Sequence, residues 1–214
     1  MVYIPIAIII MAVLFTGYRK WEGKRAEKIF KATLQDTLTS VNDPQMVAHS
    51  IVLCNKAIIS GIECMLSLSA IEACRNNRVF NTLYSGYDKF RKSDTSTPGN
   101  EYLTHIWNTG LKITEITRSI AVCTETPLTE REKFDIAEVC DDIMSLSDTL
   151  SQPLADNDSI KSGASKVKES VSTHIRRYSN SMNHNDYNDR SVRYRYLRLL
   201  HNLYSYFLSM QKIA

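Results

Sequence analysis

Ile51–Cys74 reads IVLCNKAIISGIECMLSLSAIEAC, the most apolar stretch after the chain's opening residues. It is either a second membrane span or the central helix of a bundle. Lys56, Glu63 and Glu72 are spread through it, and each charge at mid-membrane costs at least about 2.5 kcal/mol. We therefore read a core helix. Upstream, Asn42-Asp43-Pro44 is a start signal: Asp43 can cap free amides and Pro44 suits the first helical position. A continuous helix from there to Arg75 would span roughly 45 Å. That length predicts a bend near Ser60-Gly61.

The opening run, Val2–Tyr18, is VYIPIAIIIMAVLFTGY and carries no charge. A hydrocarbon core of about 30 Å needs roughly 17–25 such residues. Tyr3 lies near one edge and Tyr18 and Trp21 near the other, as interfacial aromatics do. A secretory signal would carry its positive charge first. Here Arg19, Lys20, Lys24, Arg25 and Lys28 all follow the run. By the positive-inside rule the flank stays in the cytoplasm, so the N-terminus is expected outside and the domain inside.

Residues 1–18 are thus the expected transmembrane anchor, and 19–41 a basic juxtamembrane amphipathic helix with Ala26, Phe30, Leu34, Leu38 and Val41 on one side. Residues 42–153 are the expected core bundle. Asn76-Asn77 is read as an interruption, followed by a stripe of Val79, Phe80, Leu83, Tyr84, Tyr87 and Phe90. The loop 92–100 leads into a helix bearing Tyr102, Leu103, Ile106, Trp107, Leu111, Ile113, Ile116 and Ile120. Thr129-Glu-Arg-Glu132 is a capping box opening a helix with Ile136, Val139, Cys140, Ile143, Met144, Leu146 and Leu150 inward. Residues 154–214 are expected as a C-terminal helical pair, hinged at the polar run Ser179–Asp189. With no alternating strand pattern, the fold class is all-α: one transmembrane helix and a bundle of about six helices.

Net charge +3 is too small to imply nucleic acid, but charge is unevenly placed. Residues 130–158 are acidic and 161–198 basic, which predicts an acidic helix lying on a basic one. The odd count of five cysteines agrees with reduced cytosolic thiols, and their spacing fits no zinc pattern. Glu138, Asp141 and Asp142 share a helix, but no Glu-x-x-His accompanies them, so they read as a solvated face. Arg195-x5-His201 and Arg177-x6-His184 match a loose pattern of helical ribonucleases at chance frequency. His49 with Cys54 reads as a half-buried polar residue beside a core thiol rather than a nucleophile pair. Arg190, Arg193, Tyr194, Arg195 and Arg198 form a candidate partner surface. No catalytic residue, cofactor or metal is expected.

The opening IPIAIIIMAVLFTGYRKWEGKRAEKIFKATLQDTLTSV, residues 4–41, resembles the entry-exclusion proteins of I-group conjugative plasmids. That resemblance implies a bacterial inner-membrane protein that makes a recipient refuse a second plasmid copy by engaging a membrane component of the transfer apparatus. The expected function is therefore a membrane-anchored, non-enzymatic interaction protein. The alternatives are a membrane-tethered RNA-binding or RNA-cleaving defence effector, and a toxin immunity protein.

Overall fold

The computed structural model describes residue 17 and residues 21–34, 43–93, 100–123, 128–152, 155–181 and 192–213. Helix α1 covers 21–34. It is followed by α2 (Asp43–Leu66), α3 (Ala70–Ser93), α4 (Asn100–Ala121), α5 (Glu130–Leu150), α6 (Asn157–Ser181) and α7 (Val192–Met210). No strand occurs among the described residues, and the all-α bundle is as expected. Apart from Gly17, the anchor 1–18 lies outside the described residues, as do Leu38, Val41 and most of the hinge.

The apolar stretch 51–74 supplies most of α2 and the start of α3. By length and composition α2 could cross a membrane, but 78% of its apolar window, within Gln45–Leu66, is buried inside the bundle. Its neighbours are α3, α4 and α5, while Lys56 and Glu63 point to solvent. A helix that is apolar on most faces needs partners on most faces, and here other helices supply them.

Two expected breaks are corrected. α2 runs unbroken through Ser60-Gly61, where the glycine serves packing: a Cβ on Gly61 would lie 2.8 Å from Thr117 Oγ1 on α4. The chain turns instead at Ser67–Ser69. There Ser69 N–H donates to Cys64 O at 2.9 Å and Leu68 N–H to Met65 O at 3.3 Å, the paired bonds of a Schellman end. Leu68 takes the left-handed position, with φ 52°. Nor does Asn76-Asn77 interrupt α3. Asn76 Nδ2 donates to Ala57 O at 3.0 Å and Asn77 Nδ2 to Thr114 Oγ1 at 3.3 Å. These bonds tie α3 to α2 and α4, and tertiary context overrides a weak local preference. Val79, Tyr102 and Met144, expected to face inward, are exposed.

Helices α2, α5, α6, α7 and α4 pack in a closed ring, and α3 lies against α2 and α4. α1 docks on α3 and α4 through Phe30, whose ring meets Tyr87 at 6.1 Å and Trp107 at 5.7 Å, both edge-on. Trp107 in turn stacks on Phe80 and Tyr87. One apolar cluster runs from Phe30 to Met210, so segments 42–153 and 154–214 share a core. A chain of polar side chains crosses the ring. Tyr206 Oη donates to Asn55 Oδ1 at 2.8 Å, Asn55 Nδ2 to Ser147 Oγ at 3.0 Å, and Ser147 Oγ to Ile143 O at 2.8 Å. Buried polar groups matched in this way fix which helix faces meet.

Candidate functional site

The expected membrane-interface residues fall partly within the described chain. Tyr3, Tyr18, Arg19 and Lys20 lie outside it, whereas Trp21, Lys24, Arg25 and Lys28 stand exposed on α1. Trp21 is 57% exposed, and the Arg25 guanidinium lies over its ring, 5.4 Å from the centroid. Beside them a groove between α1 and α3 is lined by Trp21, Arg25, Ile29, Arg78 and Lys89. Ala26, Phe30 and Leu34 are buried against the bundle, Ala26 also lining the groove. The amphipathic pattern of α1 therefore points its basic, aromatic face outward.

On α7 the interleaved Arg and Tyr residues separate. Arg193, Tyr194 and Arg198 are exposed, and Arg195 is half-buried with Nη1 donating to Ser119 O at 2.9 Å. Tyr196 and Tyr206 are fully buried. Arg190 lies outside the described residues. The candidate partner surface on α7 thus keeps three basic or aromatic side chains facing solvent and uses the fourth to bind α4.

The helices α5, α6 and α7 enclose a polar cluster that the sequence pattern does not announce. The capping box forms as expected: Glu132 N–H donates to Thr129 Oγ1 at 3.2 Å and Thr129 N–H to Glu132 Oε2 at 2.6 Å. The same carboxylate also receives Tyr178 Oη at 2.7 Å from α6, and Tyr196 Oη donates to Glu132 O at 3.2 Å from α7. Burial, then the bond to Glu132, pushes the Tyr178 phenol well above its usual range. Burial, then the Asp135 and Glu132 charges, does the same to Tyr196. One turn along α5, Asp135 is 6% exposed. Its Oδ1 accepts from Arg177 Nη1 at 3.1 Å and stands 3.5 Å from His174 Nδ1. The other ring nitrogen, Nε2, is 3.5 Å from Glu138 Oε2. With Lys166–Asp142 at 3.3 Å, the basic helix α6 lies on the acidic helix α5 as charge patterning predicts.

Of the three acidic residues read as a solvated face, Glu138 and Asp141 are exposed, with the Glu138 carboxylate turned toward His174 on α6, whereas Asp142 is half-buried against Lys166. Apolar periodicity alone passes over His174, because its neighbour Ile175 fits the stripe by hydrophobicity. A second signal does mark it: Ala164, Val167, Val171, His174 and Tyr178 recur at spacings of three and four. Glu132 likewise falls in register with Ile136, Val139 and Ile143.

Among the described residues, the other sequence candidates bond elsewhere. The His49 ring bonds Gln45 O through Nδ1 at 2.7 Å. Burial pushes the Cys54 thiol up to about 12, so it stays protonated and unsuited to attack. Arg195 is tied to Ser119, and Arg177 to Asp135. His184 lies outside the described residues. In comparison with known proteins, no family model, curated protein or solved structure matches this chain.

Proposed function

We propose that this is a single-pass inner-membrane protein whose helical bundle acts by non-enzymatic recognition, and specifically that it excludes entry of a conjugative plasmid by binding a component of the transfer apparatus. The observation that carries the reading is the uncharged run Val2–Tyr18 followed at once by Arg19, Lys20, Lys24, Arg25 and Lys28. The outward basic and aromatic face of α1 supports it, because lysine and arginine near an anionic leaflet each contribute about 1 kcal/mol of attraction. In this reading the anchor concentrates the bundle at the membrane. The exposed α7 residues Arg193, Tyr194 and Arg198 then offer a rim at which an acidic partner segment docks.

Two measurements test it. The full chain stays in the pellet after carbonate washing, and a reporter fused after Ala214 is active in the cytoplasm; recovery in the supernatant removes the anchor. A recipient expressing the protein takes up the cognate plasmid less often than a control, and undiminished transfer removes the exclusion role while leaving the anchor standing. The RNA-binding alternative predicts salt-dependent retention on filters that is lost when Arg193, Arg195 and Arg198 become Glu.

A further inference from the structure

His174 is 3% exposed, and its Nδ1 has no hydrogen-bond partner. It stands between two carboxylates from α5, with Asp135 Oδ1 3.5 Å from Nδ1 and Glu138 Oε2 3.5 Å from Nε2. We propose that Asp135, Glu138 and His174 bind one divalent transition-metal ion, Zn²⁺ or Mn²⁺, bridging α5 and α6.

The donor set is one imidazole nitrogen and two carboxylate oxygens, which suits borderline and oxygen-preferring divalent ions. One ligand atom from each residue lies within 4.8 Å of the others. Around a tetrahedral ion with bonds of about 2.0–2.1 Å, neighbouring ligand atoms are about 3.3 Å apart. The ligating nitrogen is Nδ1, the one without a hydrogen-bond partner and on the Asp135 side. Glu138 faces the other ring nitrogen, so closing the gap falls to its exposed side chain, which swings from Nε2 toward Nδ1. Asp135 and His174 are held by packing and form the fixed half of the site. The exposed side of Glu138 leaves room for water to complete the shell, as at three-ligand sites.

Charge supports a cation here. Glu132, Asp135 and Glu138 line one side of α5 within two turns, and Arg177 is bonded to Asp135. Arg177 competes with the ion for Asp135 Oδ1. Its side chain is exposed, so it can swing away when the ion enters. This gives the site a signature that an ordinary ion pair lacks: removing Arg177 strengthens binding, whereas removing Glu138 or His174 abolishes it.

The test uses the full-length chain, stripped with EDTA, in equilibrium dialysis against Zn²⁺ and Mn²⁺ separately. Manganese avoids thiols, so it distinguishes this site from zinc held by the exposed Cys74. Wild type is expected to take up an equivalent of ion that H174N and E138Q lose, each weakening binding by at least about tenfold. R177Q is expected to tighten it. Glu138 is exposed, so E138Q keeps the fold and decides the matter if H174N does not. Failure to bind either ion, or equal binding by wild type and E138Q, overturns the proposal. Uptake unchanged or weakened in R177Q also overturns it. None of these results depends on the membrane reading.

Discussion

Leu68 occupies a backbone position that usually belongs to glycine. Its φ of 52° places Cβ close to the following carbonyl, at a cost of about 1–2 kcal/mol for an L-residue. The side chain is 42% exposed, so its burial is partial and sets only part of a leucine's usual gain against that strain. Leu68→Gly relieves the strain, gives up that partial burial and adds freedom to the unfolded chain, so the urea midpoint should rise only slightly, by less than about 1 kcal/mol in stability. No residue in LSLSA announces a helix stop, so local pattern points to Gly61 instead. Cys54 shows the same limit from another side. Its spacing marks it as a core residue, but its acidity depends on what surrounds it. The folded thiol keeps its proton up to about 12, against an ordinary value of 9.0. Stability from this group is complete below about pH 9 and is lost as pH rises toward 12, because the unfolded chain releases the proton first. Denaturation measured across that window should show a shallower loss in Cys54→Ala than in wild type. Thiol reagents at neutral pH should label exposed Cys74 before buried Cys54.

The junction of α1 with α3 is set by a glycine. A Cβ on Gly86 would lie 2.5 Å from Ala26 O and would also meet Phe30 Cβ. Backbone cannot yield as a flexible side chain can. Gly86→Ala gains about 1 kcal/mol of helix propensity but overpacks the crossing, which costs about 1–3 kcal/mol. The variant should be less stable, with faster amide exchange in α1 and little change in α6 or α7; unchanged protection in α1 would contradict this packing. Helix periodicity identifies the buried face of α1 correctly at Ala26, Phe30 and Leu34. It carries no distance of approach, which depends on the residue opposite. The capping box behaves similarly. Thr129 and Glu132 are local, three residues apart, and legible in the sequence. The bonds from Tyr178 and Tyr196 to Glu132 span 46 and 64 residues and are not.

Across the whole molecule, the Tyr206–Asn55–Ser147 chain joins α7, α2 and α5 at the centre of the ring. Tyr206→Phe leaves the Asn55 oxygen buried without its donor, which costs about 1–3 kcal/mol. The loss should appear as one cooperative transition shifted to lower denaturant, because every helix shares the same core; a separate transition for α6 and α7 would contradict that. Sequence alone determined the features that near neighbours set: helices rather than strands, the apolar identity of α2, the capped start of α5, the acidic and basic faces, and the oily opening. These depend on period, charge and local hydrogen bonding, all fixed within a few residues. Tertiary structure decided where α2 ends, why Asn76 and Asn77 remain helical, which arginines face solvent, and that Asp135, Glu138 and His174 meet. Those outcomes depend on distances between segments far apart in the chain, and a linear pattern carries no information about which helix face will find which partner until the core closes.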